Sequence, residues 1–197
     1  DTIIYKGKAL NYSRYRYFLL NKPAGCVSAT SDNLHRTVLD LLEGENTRDL
    51  APVGRLDIDT EGLLLITNDG ALSHRLLSPA HHVPKTYYAE IDGYVTDETA
   101  AHFRCGVDIG DDKKTLPASL EILSADMETC HSTVELTITE GRFHQVKRMF
   151  QAEGMSVTYL RRISMGALRL DESLATGHYR ALTDDEISSL QTTGTVK

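Results

Sequence analysis

A short run of apolar residues, Leu63-Leu64-Leu65-Ile66-Thr67, constrains the fold more than any other part of the sequence. The run is too short for a typical core helix, and it shows no alternation of polar and apolar positions. These properties are typical of a strand that is buried on both faces. The chain has 197 residues, a length that predicts one ordinary domain or a large domain with a small appendage.

Other segments predict a sheet around this strand. Apolar and polar residues alternate over 120–123 and 132–139, which places Val134, Leu136 and Ile138 on one face of a half-buried strand. Further strands are predicted over residues 15–20, 86–91, 157–163 and 179–182. Asn21-Lys22-Pro23-Ala24-Gly25 is predicted to be a turn after the first of these.

Helices are predicted between these strands. The predicted helices cover 37–42, 71–77, 96–103, the stretch from Phe143 towards Gly154, and a short segment after Thr183. Thr37, Thr96 and Thr183 are candidate N-caps, since a threonine hydroxyl can accept from a free helical N–H. Strands and helices do not alternate regularly, which favours an α+β fold with a mostly antiparallel sheet.

Composition excludes several classes of protein. Hydrophobic residues make up 41% and charged residues 25% of the chain, a globular balance. The formal net charge of −7 excludes a uniformly basic nucleic-acid coat but not a local basic surface. No apolar run reaches the ~20 residues that a membrane-spanning helix needs. Three widely spaced cysteines fit neither a disulfide framework nor paired zinc ligands. We therefore expect a soluble, cytoplasmic protein.

An acidic cluster precedes the buried strand, between Gly54 and Gly62. Asp57, Asp59 and Glu61 are spaced two apart, so an extended backbone would project them to one side. One carboxylate could be a nucleophile or base while Arg55 orients the substrate. Alternatively, the three carboxylates could hold Mg²⁺ as in a nuclease. A solvated acidic turn explains the pattern equally well.

A basic cluster lies over residues 141–162. This stretch contains five basic residues and a single acidic residue, although the chain as a whole is acidic. Its candidate RNA-binding residues, together with one lysine in the predicted turn, are Lys22, Arg142, His144, Arg148, Arg161 and Arg162. Such side chains could grip phosphates, and Lys147 could pair with a buried carboxylate and keep it ionised. An ordinary solvated basic helix face would show the same pattern.

Four motifs, in this order along the chain, resemble the RsuA-like family of pseudouridine synthases. They are Leu19-Leu20-Asn21-Lys22-Pro23-Ala24-Gly25, Gly54-Arg55-Leu56-Asp57 with Thr60 and the run from Gly62 to Thr67, His81-His82-Val83-Pro84-Lys85-Thr86-Tyr87, and Gly141-Arg142-Phe143-His144-Gln145-Val146-Lys147-Arg148-Met149. The resemblance covers about 15–190. It implies an α+β catalytic domain with a long mixed, largely antiparallel sheet and a central cleft.

The resemblance also implies an activity and roles for four residues. Such enzymes break the N-glycosidic bond of a uridine in RNA, rotate the uracil and rejoin it through a ring carbon, without a cofactor. Asp57 matches the essential aspartate, and Lys147 matches the basic residue that pairs with it. Tyr87 matches the aromatic residue that packs on the target base, and Arg55 matches the arginine that helps to displace that base. An aspartate that attacks the ribose and one that removes a proton from it are both compatible with these residues.

Within the family, the segment from His81 to Tyr87 looks most like the branch that modifies 16S rRNA, so the expected partner is 16S rRNA or a small-subunit assembly particle. We expect a monomer that does not bind membranes. Residues 1–14 would be the tail of a missing or truncated N-terminal RNA-binding module of the ribosomal-protein S-four type or a linker, and 15–197 the catalytic domain. Residues 3–8 resemble the last hairpin of such a module. Two alternatives remain: a non-catalytic rRNA-binding assembly factor, and the magnesium-dependent nuclease that uses Asp57, Asp59 and Glu61.

Overall fold

The computed structural model describes residues 15–193 and the backbone of two short strands before them, β1 (Ile3–Tyr5) and β2 (Lys8–Leu10). These two strands pair antiparallel with each other, as the predicted hairpin requires. The rest of residues 1–14 lies outside the described part of the chain. The assignment of this segment to an RNA-binding module therefore stays a prediction.

The main sheet and its helices are built from residues 15–193. The strands are β3 (Tyr17–Lys22), β4 (Ala51–Pro52), β5 (Glu61–Thr67), β6 (Lys85–Asp92), β7 (Ser119–Asp126), β8 (His131–Ile138), β9 (Ser156–Met165), β10 (Leu168–Arg169) and β11 (Tyr179–Ala181). The helices are α1 (Gly70–Leu77), α2 (Asp97–Cys105), α3 (Gln145–Ala152) and α4 (Asp184–Thr192), and 3-10 turns cover Leu39–Leu41 and Pro79–His81. None of the described helices is both long and apolar enough to cross a membrane.

The sheet is mixed but largely antiparallel, as predicted for an α+β fold. Its strand order is β11-β3-β5-β9-β6-β8-β7, with β4 beside β5 and β10 beside β9. Among the described strand pairs, only β5 and β9 run parallel. This pair lies in the middle of the sheet, and β5 begins with Glu61, the last residue of the acidic cluster.

The buried strand lies inside the protein, as its sequence predicts. Alternate residues of β5 enter two hydrophobic clusters: Leu64 and Ile66 belong to one, and Leu63 and Leu65 to the other. The first cluster contains Met149 and Phe150 of α3, and the second contains Leu72 and Leu76 of α1, each of these with at most 2% exposure. Both faces of β5 are therefore covered, and α3 packs on the face of the first cluster.

The second residue of the central strand β5 is a glycine, because the neighbouring backbone leaves no room for a side chain there. Gly62 has a φ of +98°, and a Cβ at this position would lie 2.3 Å from the carbonyl oxygen of Arg162 on β9. The parallel pairing of Gly62 with Arg162 produces this close approach. Any side chain here would push β9 away from the start of β5.

Helix starts confirm part of the sequence prediction and correct the rest. Thr96 and Thr183 are the N-caps of α2 and α4, as predicted, and each forms a capping box there. Thr37 caps nothing, since its backbone N–H donates to Asp40 and the segment forms only a 3-10 turn. Helix α3 begins at Gln145, because His144 has a left-handed backbone that a continuing helix cannot contain.

Strand ends also differ from the prediction. The first predicted strand continues through Asn21 and Lys22, which pair with Leu63 and Gly62, so the turn begins only at Pro23. The short strands β4 and β10 were not predicted, because two residues are too few to show a period.

Candidate active site

Asp57 and Asp59 of the acidic cluster lie on the loop between β4 and β5. A buried lysine fixes the backbone of this loop. The Lys22 Nζ donates to the carbonyl oxygens of Thr60 at 2.8 Å, Asp57 at 3.1 Å and Ile58 at 3.4 Å, and to that of Pro23 at 3.1 Å. Lys22 is completely buried, and burial lowers its pKa. The prediction that Lys22 contacts RNA is therefore wrong: its ammonium group stabilises the loop from inside.

Two further residues, Gly25 and Ser28, form hydrogen bonds with the backbone of the same loop. The backbone N–H of Gly25 donates to the carbonyl of Ile58 at 2.7 Å. The Ser28 hydroxyl donates to the Leu56 carbonyl at 3.0 Å and accepts from the Leu56 N–H at 3.1 Å. The backbone on both sides of Asp57 is thus fixed by hydrogen bonds that do not use its carboxylate. The carboxylate remains available for other partners.

Asp57 lies opposite helix α3, where a lysine is shared between two carboxylates. The Lys147 Nζ is 3.2 Å from Oδ2 of Asp57. The same ammonium group donates to both oxygens of Asp59, at 2.7 Å and 2.9 Å. The pairing of Lys147 with Asp57 that the resemblance implies is present, but the shorter contacts go to Asp59. The Asp57 side chain is 27% exposed, so a substrate can reach it.

The shared lysine sets the charge state of this group. The hydrogen bond from Lys147 lowers the pKa of Asp59. Burial alone would lower the pKa of Lys147, but its bonds to Asp59 and Asp57 outweigh burial and raise that pKa. Lys147 therefore stays protonated well above neutral pH, and a positive charge is always present beside Asp57.

A histidine faces the other oxygen of Asp57. The Nε2 of His144 is 3.4 Å from Oδ1 of Asp57. His144 has a φ of +48°, a left-handed conformation that is uncommon for residues other than glycine. Its ring stacks on Phe143, with 3.8 Å between centroids and 18° between planes. Phe143 is 76% exposed, so it presents an aromatic ring to solvent beside the Asp57 carboxylate.

The three carboxylates of the acidic cluster do not converge. Glu61 accepts a hydrogen bond from the hydroxyl of Tyr159 at 2.8 Å. Burial and Glu61 together raise the pKa of Tyr159 to about 12, so this bond persists at physiological pH. Asp57 and Asp59 share Lys147 instead of facing Glu61, which overturns the arrangement that the nuclease alternative requires. Within the described residues, no three His, Cys, Asp or Glu side chains are placed to hold a metal ion.

Two of the predicted RNA-binding arginines bind a loop of the protein itself. Arg142 donates to Glu140 at 3.0 Å and to the carbonyls of Lys113 at 2.6 Å and Lys114 at 2.8 Å. Arg148 donates to the carbonyl of Ile109 through two of its nitrogens, at 3.1 Å and 2.6 Å. Both arginines also pair with Asp111. Their guanidinium groups thus connect the loop after α2 to α3 and the segment before it, and the predicted RNA contacts of Arg142 and Arg148 stay predictions.

The two arginines on β9 are also drawn into the protein. Arg162 is 2% exposed and donates through Nε to the Leu63 carbonyl at 2.9 Å. Arg161 is half-buried, and its Nε is buried without a partner among the described residues. The prediction of an RNA contact is wrong for Arg162, because its side chain supports the junction of β5 and β9 from inside.

The remaining two predicted site residues differ in exposure. Tyr87 on β6 is 8% exposed and packs in the same hydrophobic cluster as Leu56, the residue before Asp57. Arg55, two residues before Asp57, is exposed and makes no hydrogen bond or ion pair with any described residue. Tyr87 is thus largely buried in the core, its packing on a target base stays a prediction, and Arg55 is free to contact a bound molecule.

Three features of the site were not predicted from sequence. They are the tight pairing of Asp59 with Lys147, the approach of His144 to Asp57, and the exposed stack of Phe143 on His144. The sequence signal that could have found the pairing of His144 and Lys147 around one partner is their i, i+3 spacing, since residues at that spacing lie on one side of a helical turn. It could not identify Asp57 as their common partner, because the two segments lie far apart in sequence.

Comparisons with known proteins identify the family of the chain. Residues 16–152 match the family model described as RNA pseudouridylate synthase. The chain is 48% identical over 185 residues to the uncharacterized RNA pseudouridine synthase YtzG of Bacillus subtilis, covering 93% of this chain and 77% of the relative. It is 50% identical over 176 residues to ribosomal small subunit pseudouridine synthase A of Salmonella typhimurium, covering 89% and 74%.

A solved structure extends the agreement to the fold. A crystal structure of a pseudouridylate synthase superimposes with a TM-score of 0.83 at 42% identity, over 96% of this chain and 80% of that one. With its family model, its relatives and its fold in agreement, the chain belongs to the RNA pseudouridylate synthases, as a member of their RsuA-like branch.

Proposed function

We propose that this enzyme converts one uridine of small-subunit ribosomal RNA to pseudouridine, with Asp57 as the carboxylate that acts on the ribose. The observation that carries the proposal is the setting of Asp57: its oxygens face Lys147 at 3.2 Å and His144 at 3.4 Å on a loop whose backbone is fixed independently. The identity to small-subunit synthases supports the choice of RNA.

Lys147 keeps the carboxylate reactive. Either route of the reaction, attack on the ribose or removal of a ribose proton, requires an ionised aspartate close to the sugar. The ammonium group of Lys147, 3.2 Å from Oδ2 of Asp57, places a positive charge beside the reacting carboxylate. Because Lys147 makes its shorter bonds to Asp59, it stabilises the charge of Asp57 without occupying both of its oxygens.

The exposed groups around Asp57 account for binding of the target nucleotide. A uridine in a duplex must leave the base stack before its sugar can be reached, at a cost of a few kcal/mol. Arg55 is free to take the place of the displaced base, and the accessible edge of Tyr87 can pack on the uracil. The exposed ring of Phe143 offers a further stacking surface, typically worth ~1–3 kcal/mol per base.

The surroundings of the site suggest how RNA is held. Four of the six predicted RNA-binding side chains are occupied within the protein, and the chain carries a net charge of −7. We therefore propose that target choice depends on a few contacts around Asp57 together with the segment before residue 15. The proposal includes a monomeric enzyme that acts in the cytoplasm, where ribosomal subunits are assembled.

The test is release of tritium from RNA labelled at C5 of uracil, the carbon that becomes glycosidic. Wild type and Asp57→Asn are compared on 16S rRNA, 23S rRNA and an early small-subunit particle, with and without a chelator. We expect release by wild type from 16S rRNA or the particle, indifference to the chelator, and a loss of at least about 10⁴-fold in Asp57→Asn.

Other outcomes separate the alternatives. Release from 23S rRNA alone would overturn the choice of substrate but not the reaction. Chelator-sensitive cleavage of the RNA would indicate a nuclease. Binding without release from any substrate would indicate an assembly factor.

A further inference from the structure

The proposed reaction removes a proton from the uracil base. Asp57, which acts on the ribose, is poorly placed to remove it. When uracil rejoins the ribose through C5, that carbon still carries its hydrogen, which must leave as a proton for the ring to recover its conjugation. N1, which kept the electron pair of the broken glycosidic bond, must gain a proton. Asp57 acts on the ribose at this stage, so a second group that can both accept and donate is needed near the base.

We propose that His144 is this group, removing the proton from C5 and delivering one to N1. The inference rests on the proposed function and assigns a step to a residue that was expected only to bind RNA. A neutral imidazole is suited to the task, because one ring nitrogen can accept a proton while the other holds one.

The geometry of His144 orients its ring. Nε2 lies 3.4 Å from Oδ1 of Asp57, so the carboxylate favours the tautomer with the proton on Nε2. That tautomer leaves a lone pair on Nδ1, which no described residue hydrogen-bonds. Once Nδ1 has taken up a proton, the nearby carboxylate stabilises the imidazolium. The charged groups around the ring are Asp57, Asp59 and Lys147.

The backbone and a stacking partner hold the ring in place. His144 keeps a left-handed backbone at the residue before α3, a conformation that costs ~1 kcal/mol or more outside glycine. Such strain persists where the surrounding structure imposes it, often at functional sites. Phe143 packs flat against one face of the ring, and the side chain remains 40% exposed, so a flipped base can approach it.

The proton balance closes without any other reactant. Nδ1 of His144 takes the proton from C5, and the electrons of the C5–H bond restore the conjugated uracil. The imidazolium then gives a proton to N1, which carries the negative charge, and His144 returns to its neutral form. One proton leaves the base and one arrives, so uridine and pseudouridine have the same composition.

The test is a hydrogen isotope effect measured with RNA that carries deuterium at C5. His144→Asn keeps a residue that tolerates the left-handed backbone and can still donate to Asp57, but it cannot relay a proton. We expect turnover to fall about 10²-fold, RNA binding to change little, and an isotope effect to appear that wild type lacks. Cys130→Asn, at another exposed left-handed position, is the matched control and should behave as wild type.

Two results would overturn the inference. A slower His144→Asn enzyme with no new isotope effect would make His144 a positioning residue for Asp57. Unchanged turnover would remove it from the reaction altogether. Failure of the proposed function is recognised separately, because then wild type itself would form no pseudouridine.

Discussion

Arg180 and Lys147 each lie between two carboxylates, and the two clusters differ in how completely their groups are satisfied. Arg180 of β11 donates to both oxygens of Glu186 at 2.8 Å and to Asp171 at 2.7 Å. Lys147 holds Asp59 with two short bonds but stays 3.2 Å from Asp57. The first cluster ties a strand to α4, whereas the second leaves one carboxylate only loosely held.

The difference shows how the same charges can serve structure or chemistry. Asp171 also accepts from the hydroxyl and the backbone N–H of Ser173, and Glu186 accepts from the N–H of Thr183. A planar guanidinium suits such a saturated cluster, because its donors match carboxylate geometry. A lysine concentrates its charge at one point, so it can stabilise Asp57 without filling the space a substrate needs. The candidate active site therefore differs from the Arg180 cluster because its carboxylate, Asp57, can still accept further hydrogen bonds.

Replacing the cation in each cluster should give the largest contrast. We expect Lys147→Met to lower the single-turnover rate about 10²-fold, because the positive charge that faces the reacting carboxylate of Asp57 is lost, while RNA binding weakens only modestly. We expect Arg180→Met to leave that rate unchanged but to lower the free energy of unfolding by about 1 to 2 kcal/mol. Quenched-flow tritium release and urea denaturation measure the two effects. An equal loss of binding and rate in Lys147→Met would instead identify a phosphate contact.

Removing the stronger partner of Lys147 should have a smaller effect. In Asp59→Asn the lysine keeps a hydrogen-bond acceptor but is no longer held by a second negative charge, so it can move fully onto Asp57. We expect a fall of about 3- to 10-fold in turnover, about 1 kcal/mol in the barrier, with the KM for RNA nearly unchanged, because an ammonium group bonded directly to Asp57 makes its carboxylate less available to the ribose. Asp112→Asn, an exposed carboxylate on another loop, is the control. A wild-type rate in Asp59→Asn would show that Lys147 needs no second partner.

Acid should weaken the Arg180 cluster, with the smallest effect of the three. Hydrogen bonds from Ser173 and Arg180 lower the pKa of Asp171 to about 2, and Arg180 lowers that of Glu186. Groups with depressed pKa values stabilise the folded state above their ordinary range and lose that contribution as pH falls through the folded value. The difference in Tm between wild type and Asp171→Asn should therefore be at its full size at pH 5 and should shrink towards zero as the pH falls from 4 to 2. A constant difference over that range would contradict this account.

Several elements were predictable because their signals are local. The run over 63–67 had to be a doubly buried strand, since four neighbouring apolar residues leave neither face polar. Thr96 and Thr183 capped their helices because a capping box involves only residues within one turn. The α+β class followed from the irregular order of such elements.

The basic cluster shows where local signals fail. Arginine and lysine have the same sequence signature whether their charges face solvent or carbonyl oxygens. Only the folded chain shows that Lys22 and Arg162 are buried and that Arg142 and Arg148 bind their own protein. Burial of a cation depends on acceptors that are distant in sequence, such as the carbonyl of Thr60 for Lys22.

The sequence by itself determined the class of fold and the family, and it proposed Asp57 as the catalytic aspartate with Lys147 as its partner, because these depend on residues close together or on motifs in a recognisable order. Only the tertiary structure shows that Lys147 is shared with Asp59 and that His144 faces the other oxygen of Asp57. Lys147 of α3 and His144, the residue before α3, lie about 90 positions further along the chain than Asp57, and their distances to it depend on how α3 packs against β9. Contacts of this kind are set by the packing of the whole core, which no local pattern of residues encodes.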